Sequence, residues 1–154
     1  MTKVEETLAS LGITLPEPVA PVADYVPFVI SGHHIFVSGQ ISVGPDGLIS
    51  GTLGSDMSLE AGIDAARICG INILSQLNVA CDGDLGRVNR IVKLGGFVSC
   101  IPSFTDHPKV INGASSLMRS VFGDAGRHAR AAVGVPSLPL GAAVEIDAVV
   151  EIAG

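Results

Sequence analysis

The chain is organised around the sequence RHARAAVGV, which occupies residues 127–135. Two arginines, Arg127 and Arg130, stand at the entrance of a short apolar strand predicted over 131–135. Cations at such an entrance indicate that something anionic binds there. A guanidinium is a planar fork of donors that matches a carboxylate through two parallel hydrogen bonds. This stretch therefore predicts a strand that begins beside a carboxylate-binding cation.

A second strand is predicted further along the chain, over 143–152. Its apolar residues alternate with the acids Glu145, Asp147 and Glu151, which is the period of a strand with one buried face. If this strand and the preceding one are near neighbours in a sheet, Glu145 can approach the same cleft as Arg130. The pair would then supply a cation for a substrate carboxylate and an acid for proton handling.

The remaining elements alternate between strands and long helices. The predicted helices cover 2–11, 58–80 and a range that opens at Thr105 or Asp106 and ends at Gly123. The other predicted strands cover 25–30, 35–41, 48–51 and 88–99. Pro27 favours an edge position for the first of these strands, and Gly95-Gly96 indicates a bulge or a close backbone approach in the last. This order predicts an α+β fold in which helices cover one face of a sheet.

Proline and glycine divide the chain into an extension and a domain. The run Leu15–Pro21 contains three prolines and is expected to be extended rather than regular. We therefore predict an N-terminal helix and Pro-rich extension at 1–22, followed by a single domain at 23–154.

Composition argues against nucleic acid as a partner. The 154 residues suit one domain, carry a net charge of −6 and contain one tyrosine and no tryptophan, so they offer neither a basic track nor a stacking platform. Only 16% of the residues are charged, against roughly 25% in a typical domain. Part of the surface is therefore expected to be buried against other subunits.

Cysteine usage and the N-terminal sequence predict a cytoplasmic protein. The three cysteines, Cys69, Cys81 and Cys100, form no C-x-x-C pair, and their odd number fits a reducing compartment. Cys69 and Cys100 are interpreted as small buried hydrophobes. Acids stand where a signal peptide would be apolar, and no apolar run is long enough for a bilayer. No His/Cys spacing resembles a zinc site, so no metal is expected.

Two motifs resemble the signatures of a known family. Ser38-Gly39-Gln40 resembles the S-G-Q signature of the Rid family, also called the YjgF or L-PSP endoribonuclease family, and Arg130 followed by Leu138-Pro139 and Glu145 resembles its second signature. The likeness runs from Tyr25 to the C-terminus. It implies a chorismate-mutase-like subunit, with a mixed sheet and two long helices on one face, to which this chain adds an N-terminal helix. Family members assemble as homotrimers with clefts between neighbouring subunits.

The resemblance also implies roles for individual residues. Arg130 matches the family's carboxylate-binding arginine, and Glu145 matches an acid that positions the attacking water. Tyr25 and Ser38 match residues that line the cleft. Asn112 resembles an asparagine of the second long helix.

One departure from the family pattern keeps two functions open. The family's deaminases have a cysteine two residues after the arginine, whereas this chain has Ala132, whose backbone carbonyl could still hold a water. The first function is the hydrolysis of small reactive enamine or imine carboxylates, such as imines derived from 2-aminoacrylate, without a metal or organic cofactor. The alternative is a non-catalytic protein that binds a keto acid or related carboxylate. Without the resemblance, Arg130 would be read as a salt-bridge residue and Glu145 as a solvated strand residue.

Overall fold

Three α-helices and seven β-strands form within residues 2–21 and 23–154, which are the residues described by this computed structural model. The helices are α1 (Lys3–Ser10), α2 (Leu59–Ala80) and α3 (His107–Phe122). The strands are β1 (Phe28–Ser31), β2 (His34–Ile41), β3 (Val43–Gly44), β4 (Gly47–Leu48), β5 (Val88–Ser99), β6 (Ala129–Val135) and β7 (Val144–Ile152). Met1 and Val22, the two ends of the predicted N-terminal extension, lie outside these residues.

Five of the strands form one mixed sheet in the order β1-β2-β7-β5-β6. All neighbours are antiparallel except β5 and β6, which run parallel because α3 carries the chain back between them. The edge position predicted from Pro27 is confirmed for β1. Strand β6 begins at Ala129, opposite Lys93, so Arg130 lies inside the strand and not at its entrance as predicted.

The strand predicted over 48–51 is not part of this sheet. Its first residue, Leu48, pairs only with Val43 in a separate two-stranded ribbon of β3 and β4. Gly51 then adopts a φ of 151°, and the chain leaves the ribbon. The predicted hairpin is thus present, but its returning strand is shorter than predicted: beyond Leu48 the pairing continues only as a hydrogen bond from Ile49 N to the Ser42 carbonyl and an isolated bridge between Ser50 and Ala142.

Helices α2 and α3 cover one face of the sheet, as predicted. The alternating residues Val144, Ile146 and Val150 of β7 are fully buried on that side. The two helices approach so closely that a Cβ at Gly113 would collide with the backbone carbonyl oxygen of Ile63. At this distance glycine is the only residue that fits without moving a helix.

The Gly95-Gly96 pair of β5 marks a close approach and not a bulge. A Cβ at Gly96 would lie 2.6 Å from the Ile111 side chain of α3, while the register is continuous across both glycines. The irregularities of β5 fall earlier, between Val88 and Arg90 and between Ile91 and Lys93.

The opposite face of the sheet, here called the open face, is not covered by helices. Its exposed apolar side chains include Val29, Phe36 and Val133, which are 51%, 48% and 46% exposed. Their registers place them with Glu145 and Asp147 on this face. Exposed apolar side chains and two carboxylates thus share the open face.

The N-terminal segment is held against α2. Thr2 and Glu5 form a reciprocal capping box at the start of α1. Beyond α1, the carbonyls of Pro16 and Val19 accept hydrogen bonds from the buried Ser75 and Gln76 side chains. Among the described residues, no helix combines the length and apolar character needed to cross a bilayer.

Candidate functional site

Arg130 projects from the edge strand β6 towards α3. In the parallel register Arg130 lies opposite the buried Leu94, so its side chain is on the helix-covered side of the sheet. Its Nη1 donates to Asn112 Oδ1 at 2.8 Å and to Ser115 Oγ at 3.2 Å. The structure therefore brings together two of the predicted site residues, Arg130 and Asn112. Ala132, two residues on, lies on the same side of the strand and is half-buried.

A chain of hydrogen bonds fixes this guanidinium. His128 Nδ1 lies 2.7 Å from the Gly126 carbonyl oxygen, which can only accept, so Nδ1 carries a proton. In the neutral ring Nε2 then accepts the Ser115 hydroxyl proton across 2.8 Å, and Ser115 Oγ accepts from Arg130. Burial lowers the pKa of His128, Arg130 lowers it further, and the bond to Gly126 opposes them. The ring is thus neutral near pH 7, as the network requires.

The fixed guanidinium keeps one edge for a ligand. Both hydrogens of Nη1 are engaged, whereas Nε and Nη2 of Arg130 donate to no acceptor among the described residues. The surrounding pocket also contains Arg119 and Arg127, and no carboxylate belongs to its described lining. None of these three arginines forms an ion pair within residues 2–21 and 23–154. An Nε–Nη2 edge in a cationic pocket suits a carboxylate.

Glu145 lies on the open face, in a different pocket. It pairs with Ile41 of β2 and Phe97 of β5, and its pocket also contains Tyr25 and Gly39. Burial raises the pKa of Glu145, and the neighbouring charge of Asp147 raises it further. The carboxylate has no cationic partner in the described part of the chain. A half-buried carboxylate of this kind is a better proton acceptor than a solvated one.

The S-G-Q motif shapes this second pocket. The register between β2 and β7 shifts between Val37 and Gln40, which leaves Ser38 and Gly39 in a bulge. A Cβ at Gly39 would lie 2.7 Å from Glu145 Oε2, so the glycine makes room for the carboxylate. Ser38 Oγ donates to the Val26 carbonyl at 2.7 Å, which fixes the segment that carries Tyr25.

The two pockets do not meet within one chain. Strand β5 separates β6 from β7, and Arg130 and Glu145 project from opposite faces of the sheet. The expectation that Glu145 of the same chain approaches the Arg130 cleft is therefore wrong. That expectation required β6 and β7 to be neighbours with both side chains on one face of the sheet, but β5 lies between them.

The sequence reasoning missed Ser115. It lies three residues after Asn112, which places both side chains on one face of α3. That spacing, together with a histidine two residues before Arg130, was the available signal. Among the described residues, no cluster of three or more His, Cys, Asp or Glu side chains could hold a metal ion.

Comparisons with known proteins agree with this architecture. Residues 5–152 match the model of the YjgF/chorismate mutase-like endoribonuclease family. The chain is 50% identical over 154 residues to Protein TCP17 of Trypanosoma cruzi, covering 97% of this chain and 94% of that protein.

Two solved structures extend the comparison. Atu1372 of Agrobacterium tumefaciens, a protein of unknown function, is 47% identical with a TM-score of 0.91 over 98% of this chain and 93% of its own. TdcF of Escherichia coli, crystallised with bound serine, is 25% identical with a TM-score of 0.61 over 92% of this chain and 97% of its own. The S-G-Q and arginine motifs thus identified the family correctly, and the chain belongs to the YjgF/chorismate mutase-like family.

Proposed function

We propose that this protein hydrolyses small enamine or imine carboxylates in clefts formed between copies of the chain. The observation that carries the proposal is Arg130, whose guanidinium is fixed through Asn112 and Ser115 while its Nε–Nη2 edge stays available. The serine bound to TdcF, a solved structure similar to this chain, is an α-amino carboxylate and supports a ligand of this class.

Arg130 and Glu145 would meet across an interface. Each lies in its own pocket, and the open face carries apolar side chains such as Phe36 and Val133 at 48% and 46% exposure. Burying that face against a second copy would remove apolar surface from water and bring the acid pocket of one copy to the arginine pocket of another. A homotrimer with three such clefts is the assembly that we propose. The low charge fraction of 16% supports it.

The proposed reaction depends mainly on how the substrate and a water molecule are positioned. An imine beside a carboxylate is already electrophilic, and Arg130 would hold the carboxylate so that the imine carbon faces a water. Glu145 of the neighbouring copy would accept the proton of that water as the C–O bond forms. Glu145 then returns that proton to the nitrogen, which gives a carbinolamine. The hydroxyl proton passes through the same carboxylate to the nitrogen as the C–N bond breaks, so ammonia leaves and a keto acid remains. The Ala132 carbonyl could hold the water where related deaminases have a cysteine.

The assay generates 2-iminopropionate with an amino-acid oxidase and follows its disappearance with and without the protein. We expect acceleration by the wild-type protein and loss of most of it in Arg130→Ala. Full activity in Arg130→Ala would remove this mechanism.

A mixing experiment tests whether the cleft is shared. Arg130→Ala and Glu145→Gln are each expected to be inactive alone. Co-refolded in equal amounts, they should recover about one quarter of the wild-type activity, because random pairing restores both groups in that share of the clefts. No recovery on mixing, with assembly intact, would contradict a cleft built from two copies.

A non-catalytic role is the second candidate. Ala132 replaces the cysteine of the family's deaminases, while Arg130 and its pocket remain suited to a carboxylate. In that case the protein binds pyruvate or a similar acid at millimolar concentration or tighter and leaves the rate of imine loss unchanged. The same oxidase assay, combined with calorimetry, separates the two functions.

A further inference from the structure

A cysteine and a histidine lie close together where the chain passes from the end of β5 to the start of α3. Cys100 Sγ is 3.5 Å from His107 Nε2, within the distance of a hydrogen bond to sulfur. His107 is the first residue of α3, and its ring meets the ring of Phe104 edge-on at 5.5 Å, which sets its orientation. The pair lies beside Gly134, which follows Arg130 by four residues on β6, so these two strand positions are roughly 13 Å apart.

The backbone opposite the pair leaves room for it. A Cβ at Gly134 would lie 2.5 Å from His107 Nε2 and 2.6 Å from Cys100 Sγ. The pair lines a cleft of about 370 Å³, with apolar walls that include Ile101 and Val135. Cys100 is 9% exposed, whereas Cys69 and Cys81 are fully buried. Of the three thiols, it is the one that a small molecule can reach.

We propose that Cys100 and His107 form a second site, in which the thiol adds to small neutral electrophiles such as α,β-unsaturated carbonyl compounds. The sulfur lone pair forms the bond to the β-carbon, and the π electrons move onto the carbonyl as an enolate. The thiol proton goes to His107 Nε2 and from there to the α-carbon, so the product is a thioether and the imidazole is regenerated. This site does not depend on the function proposed for Arg130.

The surroundings of the sulfur explain why a base is needed. Burial raises the pKa of the Cys100 thiol, so the resting group is a neutral thiol, and His107 Nε2 lies within hydrogen-bond distance of it at 3.5 Å. The described residues that line the cleft include neither lysine nor arginine. A neutral reagent is therefore favoured over an anionic one, in contrast to the pocket around Arg130.

Alkylation of the full-length protein tests the site. Iodoacetamide at limiting concentration transfers its carboxamidomethyl group to sulfur, releases iodide and leaves the thiol proton on the base. Mass spectrometry should find Cys100 modified first, with Cys69 and Cys81 as internal controls. We expect His107→Gln to slow modification of Cys100 about tenfold or more. His33→Gln, a change in an exposed turn, should have no effect.

Two further measurements keep the test decisive if His107→Gln fails to fold. Gly134→Ala places a methyl group against the sulfur and should also slow alkylation. In the wild-type protein, the rate ratio of iodoacetamide to iodoacetate at Cys100 should be higher when folded than in urea. Any of three results would overturn the proposal. They are a wild-type rate of Cys100 alkylation in a folded His107→Gln protein, alkylation of Cys100 no faster than that of Cys81, and the same iodoacetamide-to-iodoacetate rate ratio in folded and urea-unfolded protein.

Discussion

Replacing Arg130 with lysine distinguishes the contribution of the two-donor guanidinium edge from the contribution of the positive charge. In the wild type, Nη1 is engaged by Asn112 and Ser115, and the Nε–Nη2 edge remains for two parallel bonds to a carboxylate. A lysine ammonium has three donors on one nitrogen. If two of them satisfy Asn112 and Ser115, only one is left for the ligand, so the substitution keeps the charge and removes one of the two ligand bonds.

The size of the effect follows from that count. A hydrogen bond to a charged group contributes about 1.5–3 kcal/mol, which corresponds to a loss of affinity of about 10- to 150-fold. Arg130→Ala should lose more, because both ligand bonds disappear and the Asn112 and Ser115 side chains lose their donor. The order of affinities for pyruvate is therefore expected to be wild type, then lysine, then alanine.

Titration calorimetry with pyruvate measures these affinities, and kcat/KM for 2-iminopropionate should fall in the same order. Arg87→Lys is the matched control. Arg87 forms an exposed ion pair with Asp82 at 3.4 Å, next to the first residue of β5, where lysine can replace it. Pyruvate binding by Arg130→Lys within about threefold of wild type would refute the bidentate edge, because the predicted minimum is larger.

Three further predictions concern the supporting structure. Ser115→Ala should weaken pyruvate binding about fivefold, because Arg130 loses one of its two acceptors; calorimetry showing unchanged affinity would contradict this network. Gly113→Ala should lower the unfolding free energy by about 2 kcal/mol and Tm by roughly 4–8 °C. Alanine usually stabilises a helix, but here its methyl group meets the Ile63 carbonyl, so a raised Tm would disprove the close contact. Burial lowers the pKa of His128, so the unfolded chain binds its proton more readily and wild-type stability falls as pH drops below the ordinary histidine pKa. His128→Gln should lose less stability over that interval in urea denaturation, and an equal loss would count against a buried neutral ring.

The long elements were predictable because they carry local signals. The helix predicted over 58–80 matches α2 after its N-cap Ser58, whose side chain accepts the Ala61 amide hydrogen. The strand predicted over 88–99 matches β5 at both ends. Capping residues and apolar periodicity act within a few residues of the chain, so a sequence displays them directly.

The relation between strands was not predictable in the same way. Whether β6 lies beside β7 or beyond β5 depends on where α3 returns the chain, and no residue of β6 encodes that choice alone. The small residues of β6 also show little alternation between polar and apolar side chains, so the sequence did not indicate to which face of the sheet Arg130 projects. The sequence placed both halves of the candidate site correctly along the chain and wrongly in relation to each other.

Contacts between side chains that are brought together only by tertiary packing were also not predictable from the sequence. Cys100 was interpreted as a small buried hydrophobe, and it is indeed mostly buried, with 9% of its surface exposed. Its contact with His107 depends on a turn between β5 and α3 and on the space left by Gly134. These features become visible only when three separate segments meet.

The contact between the N-terminal segment and α2 has an evolutionary consequence. Pro16 and Val19 satisfy the buried side chains of Ser75 and Gln76 through main-chain carbonyls, which any amino acid in the same conformation would supply. Substitutions at 16 and 19 are thus weakly constrained, whereas Ser75 is tied to the presence of the segment itself. Gln76 also donates to Gln40 Oε1 at 3.4 Å and keeps that partner without the segment. Relatives that have lost the segment should therefore carry an apolar side chain at position 75, a correlated change that an alignment of the family can reveal.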